Sequence, residues 1–154
     1  MKFYKRLIFC VLFIFFSCEK YKVISSFELS IKDPWSRKEV VEKKLTVDND
    51  YDKVGFVLDI YYNEEVQYQN IFLHIKLSDA KGNVIFEKPD LMLMLFDPAT
   101  GYPLGRKIFR EQRLEFLITE NLKLKEGKYN VEILQKTRAE NLCGIEKFIC
   151  KFIK

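Results

Sequence analysis

The chain has 154 residues, 26 Lys+Arg against 22 Asp+Glu, and one His. That length suits one ordinary domain, a lone His excludes a multi-histidine metal centre, and the near-balance of charge excludes the basic footprint of a nucleic-acid binder. Three of the bases stand in the first six residues, so residues 18–154 hold 23 bases against 22 acids.

Lys2, Lys5 and Arg6 precede an apolar run over residues 7–16, and Ser17-Cys18 follows it. This is the order of an exported lipoprotein: a basic start held in the cytoplasm, an apolar stretch entering the membrane, and a small residue before the cysteine at the cleavage point. Ten residues rise only about 15 Å as a helix against roughly 30 Å of hydrocarbon, so the run is too short to span a membrane. Cleavage makes Cys18 the first residue of a 137-residue mature chain (154 − 17 = 137) and the carrier of several acyl chains. Phe15 and Phe16 stand where a leucine-like and a small residue are usual, a departure from the common cleavage pattern. A lone Glu19 after the cysteine is a poor acidic export signal, which predicts a domain facing the periplasm.

Residues 18–32 mix charges, serines and apolar residues and read as a lipidated tether with room for a first short strand; Asp33-Pro34 closes it. Beyond that point the pattern is period-two alternation and short apolar runs rich in Val, Ile, Phe and Tyr. Strands are expected over 43–47, 54–62, 70–78, 84–95, 114–119, 128–136 and 145–153, with room for short helices only near 37–44 or 135–142. In the clearest of these, Ile71, Leu73, Ile75 and Leu77 share one face while Phe72, His74 and Lys76 share the other. Asp79-Ala80-Lys81-Gly82-Asn83 then supplies turn residues for a hairpin with the strand beginning at Val84. Six or more such strands predict an all-β fold, an antiparallel β-sandwich of immunoglobulin-like or jelly-roll-like type over residues 33–154, behind a signal peptide at 1–17 and a tether at 18–32.

Asp97-Pro98-Ala99-Thr100-Gly101-Tyr102-Pro103-Leu104-Gly105 interrupts the strands with two prolines and two glycines, which fix an ordered loop. Tyr102 and Leu104 either cap the sandwich there or dock a partner. Cys10 leaves with the signal and Cys18 is acylated. Cys143 and Cys150, in or just before one strand, are then too far apart for a bridge and read as two buried free thiols.

Catalytic chemistry is hard to find. His74 has no second histidine beside it, no Gly-x-Ser-x-Gly elbow occurs, and no glycine-rich phosphate loop is present. Glu64-Glu65 reads as a solvated turn rather than an acid–base pair. No enzyme activity, cofactor or metal is therefore expected. Two binding classes remain, an assembly component that holds envelope proteins and, as the alternative, a glycan-binding envelope lipoprotein. A glycan binder would gather two or three exposed aromatics on one face or one set of loops, whereas a docking protein would show an apolar or polar-rimmed patch around residues 97–105.

Several pieces together resemble one family, the gliding-motility lipoproteins called GldH. They are Cys18 after an apolar signal; Trp35 ahead of a charged stretch; Tyr68-x-Asn70-Ile71-Phe72-Leu73; Asp97-Pro98-x-x-Gly101-x-x-Leu104-Gly105; Asn121; Gly127-x-Tyr129-x-x-Glu132-Ile133-x-Gln135; Arg138; and Leu142-x-Gly144-Ile145. Where such proteins carry an acidic residue and a small Gly in the last strand, this chain has Lys147 and Ile149. The resemblance implies a lipid-anchored, non-enzymatic cell-envelope protein that supports surface gliding in bacteria of the Bacteroidetes type and the linked type IX secretion machinery. It implies partners among the envelope proteins of that machinery and membrane attachment through Cys18. Trp35, Asp97, Tyr102, Leu104 and Gly105 are the candidate contacts.

Overall fold

The computed structural model describes residues 21–154. Eleven strands run in chain order: β1 (Val23–Ser30), β2 (Trp35–Ser36), β3 (Val40–Val47), β4 (Tyr51–Tyr62), β5 (Asn70–Asp79), β6 (Val84–Met94), β7 (Arg106–Ile108), β8 (Glu111–Leu124), β9 (Gly127–Gln135), β10 (Asn141–Leu142) and β11 (Ile145–Ile153). One sheet has the order β1-β11-β4-β8-β7, the facing sheet β3-β9-β5-β6, and β2 pairs with β10 in a short ribbon. Every pairing is antiparallel. With the minor strands set aside, the eight long strands interleave as first-eighth-third-sixth over second-seventh-fourth-fifth. That is the double Greek key of a jelly roll, which decides between the two sandwich types.

Alternation dictates the packing. Ile71, Leu73, Ile75 and Leu77 of β5 are fully buried and meet the inward face of the other sheet, where Phe56, Leu58 and Ile60 of β4 lie beside Phe148, Cys150 and Phe152 of β11. Phe56 stacks on Phe152 at 5.1 Å between centroids, and the Phe86 ring meets Phe56 edge-on. Asp79 holds the predicted hairpin turn: its carboxylate accepts the backbone N–H groups of Lys81 and Asn83, and Gly82 takes a φ of 84°.

The stretch 18–32, read as tether, contributes more than a short strand. Residues 23–30 form β1, which pairs with β11 along its length because Phe27 and Leu29 alternate inward, and Phe27 meets Phe152. Neither 37–44 nor 135–142 is helical. Gln135 explains the second case: it is fully buried and donates from Nε2 to the carbonyls of Ala139 and Glu140, which holds an irregular turn. Cys150 is buried as expected, and burial pushes its thiol far up; Cys143 is only half-buried, and both are free thiols.

Register fixes the two ends of the molecule. Val23 pairs with Ile153, and Ile153 with Gly55, so the start of β1, the chain end and the turns at 48–50, 80–83 and 125–126 share one end. At the other end Ser30 pairs with Lys147 and Ile145 with Tyr62, which gathers the connections 31–39, 63–69, 95–110 and 136–144. Eight steps along β11 separate the two ends by about 27 Å.

Candidate functional site

The connection over residues 95–110 carries the chain from β6 in one sheet to β8 in the other across this far end. Its base is pinned. Tyr62 is buried at the end of β4, its hydroxyl donates to the Leu95 carbonyl at 2.8 Å, and the Phe96 ring meets it edge-on at 5.7 Å. Burial pushes the Tyr62 phenol up, with a backbone hydrogen bond at Gly105 acting the other way.

From that base residues 95–104 form a small hairpin of their own. Phe96 bridges Pro103, Leu104 N–H donates to the Leu95 carbonyl, and Asp97 N–H donates to the Tyr102 carbonyl. One Asp97 carboxylate oxygen accepts the N–H groups of Thr100 and Ala99 and the Thr100 hydroxyl, all within 3.0 Å. Those bonds, the Thr100 amide first, hold the Asp97 carboxyl below the usual range. Gly101 closes the turn at φ 71°. Gly105 then crosses β8 so closely that a Cβ there would sit 2.9 Å from the Arg113 carbonyl oxygen.

The five candidate contacts therefore divide. Tyr102 is 73% exposed and Leu104 45%, so neither caps the sandwich; Phe96 does that, and the two stand at the surface where a partner can reach them. Asp97 and Gly105 shape the loop, one by bonding its own turn and the other by lacking a side chain. Trp35 as a contact is a correction. It is fully buried, packs edge-on against Phe148 at 5.7 Å, and donates from Nε1 to the Glu39 carbonyl, because β2 lays its apolar bulk inward under the far-end loops. Cys18 lies outside the described residues.

One exposed residue escaped the sequence reading. Phe109 is 93% exposed at the tip of the β7–β8 hairpin, with a φ of 55°. The stretch Ile108-Phe109-Arg110-Glu111 lacks the Asn or Gly that marks a two-residue turn, so turn chemistry gave no signal. The fold sets this tip beside residues 63–65: Phe109, Lys107 and Arg110 share a groove of ≈ 650 Å³ with Asn63, Glu64 and Glu65.

Elsewhere among the described residues, ionisable side chains group into ion pairs. His74 meets Glu87 at 2.8 Å on the outer face of the four-stranded sheet. On the other sheet Asp59, 1% exposed, receives Arg113 Nη2 at 2.7 Å and Lys151 Nζ at 2.8 Å, with Glu115 bridging to Lys151 and to the Tyr21 hydroxyl. Burial pulls the Lys151 ammonium down, and its bonds to Asp59 and Glu115 outweigh that, leaving it raised. Among the described residues no three His, Cys, Asp or Glu side chains converge as metal ligands.

Among solved structures, the fold is similar to a family 35 carbohydrate binding module from an environmental isolate, at 10% identity over 84% of this chain and 86% of that one, with a TM-score of 0.40. It is also similar to the CBM35 from Cellvibrio japonicus Abf62, at 14% identity, 82% and 92% coverage and a TM-score of 0.41. An exo-beta-1,3-galactanase from Phanerochaete chrysosporium, solved with galactose, matches at 12% identity and a TM-score of 0.40 over 86% of this chain and 27% of its own. No curated protein sequence matches. The model of the GldH lipoprotein family matches residues 22–149, from the start of β1 to well within the last strand, and the chain belongs to that family.

Proposed function

We propose that this protein is a lipid-anchored component of the cell envelope that supports gliding motility, and the secretion machinery linked to it, by holding other envelope proteins with its far end. The carrying observation is the polarity set by strand register. The chain enters at Val23 on one end, and the exposed Tyr102 and Leu104 stand on the end about 27 Å away. Cys18 precedes Val23 by five residues, which span at most about 18 Å. A lipid on Cys18 holds the near end close to the membrane surface and leaves the far-end loops facing away from it, toward the periplasm. No catalytic step is assigned to the molecule: it acts by binding.

The loop suits docking because its shape is set in advance by the Asp97 bonds and the Tyr62 anchor, so little conformational freedom is lost on contact and a few side chains can dominate the affinity. The test replaces Tyr102 and Leu104 with serine in the full-length protein in its native host. Co-purification of envelope partners and gliding or secretion should fall, while lipidation and the thermal midpoint stay at the parent's values. Unfolding of the double variant would make the loop a structural element; a stable, lipidated and fully active variant would move the contact elsewhere. A glycan-binding reading draws on the two exposed rings of this end, Tyr102 and Phe109, and is separated by soluble cell-wall glycan, which should then displace the protein from its site and should not if the ligand is a protein.

A further inference from the structure

We infer that the β7–β8 hairpin tip is a docking knob, in which the Phe109 ring enters an apolar pocket of a partner protein and Lys107 and Arg110 engage carboxylates on the rim of that pocket. The inference rests on the reading of the far end as the docking end, and it names a contact and a partner chemistry which that reading leaves open.

Two independent observations single out this tip. The first is exposure: at 93%, Phe109 is the most exposed large apolar residue among those described, and Tyr102 and Leu104 on the neighbouring loop are also exposed. The second is backbone conformation. Ile108 pairs with Glu111, so Phe109 and Arg110 form a two-residue hairpin loop, and Phe109 occupies its first central position with φ 55°. Glycine, asparagine or aspartate normally fills that position, and a bulky side chain there is an outlier. The fold thus holds an aromatic ring in solvent on a backbone that disfavours it, and among the described residues no burial of the ring compensates. Strained, over-determined positions of this kind cluster at binding sites.

Charge identifies the partner. Lys107 and Arg110, which share the groove with Phe109, are exposed, and neither has a carboxylate within salt-bridge distance among the described residues. Two cations beside one ring, each without a salt-bridge partner among the described residues, match carboxylates on the rim of a partner's pocket; a neutral glycan makes no use of them. An anionic bilayer would attract the cations, but Glu64, Glu65, Glu111 and Glu146 line the same groove as Lys107 and Arg110 and would be repelled by a uniformly negative surface. A folded protein can alternate charge over that distance, so a protein is the occupant.

The test places a benzophenone-bearing phenylalanine at position 109 of the full-length protein and irradiates intact host cells. One discrete protein adduct is expected, its cross-linked peptide lying in an acid-rich segment. Its yield should fall at least tenfold when Lys107 and Arg110 are changed together to Glu. In parallel, Phe109→Gly should keep or raise the thermal midpoint while gliding and co-purification fall at least tenfold, and Phe109→Trp should retain both. Adducts with lipid or glycan, a yield indifferent to charge reversal, or a Phe109→Gly protein that melts lower would each overturn the inference. If Phe109→Gly is fully active while the Tyr102 and Leu104 variant is not, this inference falls and the docking reading stands; if neither variant loses function, both fall.

Discussion

Gly144 and Gly82 offer a matched pair of perturbations that test how firmly the far end is built. Both have φ near +80°, at 80° and 84°, so alanine at either enters the left-handed region, at a cost of about 1–2 kcal/mol. Only at Gly144 is the added Cβ also blocked. It would sit 2.5 Å from the Val66 backbone nitrogen and 2.8 Å from both Asn63 Oδ1 and Val66 Cγ2, whereas nothing lies within 4 Å at Gly82. Gly144 cannot retreat, because its N–H donates to the Asp33 carboxylate at 3.0 Å and its carbonyl accepts Asn63 N–H at 2.9 Å. Overpacking adds about 1–3 kcal/mol. Gly82→Ala should therefore lower stability by about 1–2 kcal/mol and Gly144→Ala by about 2–5, a separation of roughly 5–10 °C in Tm for a domain of this size. Thermal melts and urea titrations of the two variants measure it. Equal losses would mean that Val66 yields freely and that the far end is softer than its hydrogen bonds imply. Because the corner also seats residues 63–65 beside the Phe109 tip, Gly144→Ala should weaken partner capture at temperatures where the domain is still folded, and Gly82→Ala should not.

The proposed anchor places the lipid on Cys18, so Cys18→Ala should abolish acylation; labelling with a fatty-acid analogue that is equal in variant and parent would sink the anchor. Asp59→Ala leaves Lys151, 12% exposed, and Arg113 with Glu115 alone, and should cost roughly 2–3 kcal/mol, less than the loss of a fully buried ion pair because Glu115 remains and solvent reaches Arg113. Adding Lys151→Met should recover part of that loss in urea titrations, and a single variant indistinguishable from the parent would show that the cluster adds nothing to stability. Asp50, Asp79 and Asp97 all have carboxyls held below their ordinary value of 3.8 by hydrogen bonds, so what they contribute to stability is fully present above that value and is lost as pH falls through their lower folded-state values. Tm should hold steady from neutral pH to about pH 5 and drop below about pH 4; a Tm maintained down to pH 3 would refute the assignment.

The strands were legible because their signal is local. Alternation at 71–77 named the buried face of β5 residue by residue, and Asp79 with Gly82 named its hairpin. Strand order was not legible, since a jelly roll and an immunoglobulin fold share one alternating pattern and differ only in which strands pair. β8 runs to Leu124, past the expected 119, because irregular pairing near Val54 and Phe56 lets it follow β4 farther than strict alternation suggests. The residues that carried the family resemblance prove to be largely architectural. Trp35 and Gln135 are buried, the Tyr129 hydroxyl ties to the backbone of Lys125, and Gly144 is locked in its corner. Phe109 was invisible because the structure places it against the grain of turn chemistry.

Architecture of this kind has a functional consequence that composition could not supply. A partner-holding protein must keep its contact points at a fixed distance from its anchor, and a jelly roll does so when the chain enters at one end and the long connections leave at the other. Here the connection between the sheets is bolted to the core by Tyr62 and Phe96 and shaped by Asp97 and Gly105, so Tyr102, Leu104 and the Phe109 tip are carried on a stiff frame. If stiffness matters, weakening the bolt should impair docking even though Tyr62 never meets a partner. Tyr62→Phe removes one buried hydrogen bond while the Leu95 carbonyl still accepts the Leu104 N–H, for a loss of about 0.5–1.5 kcal/mol. That is too little to unfold a domain of ordinary stability. Partner capture by Tyr62→Phe should drop measurably at a temperature where its circular dichroism matches the parent's, although Tyr102, Leu104 and Phe109 are all still present. Unchanged capture with a lowered Tm would show that the loop docks by induced fit, and the preset geometry of residues 95–105 would then serve the fold rather than the contact.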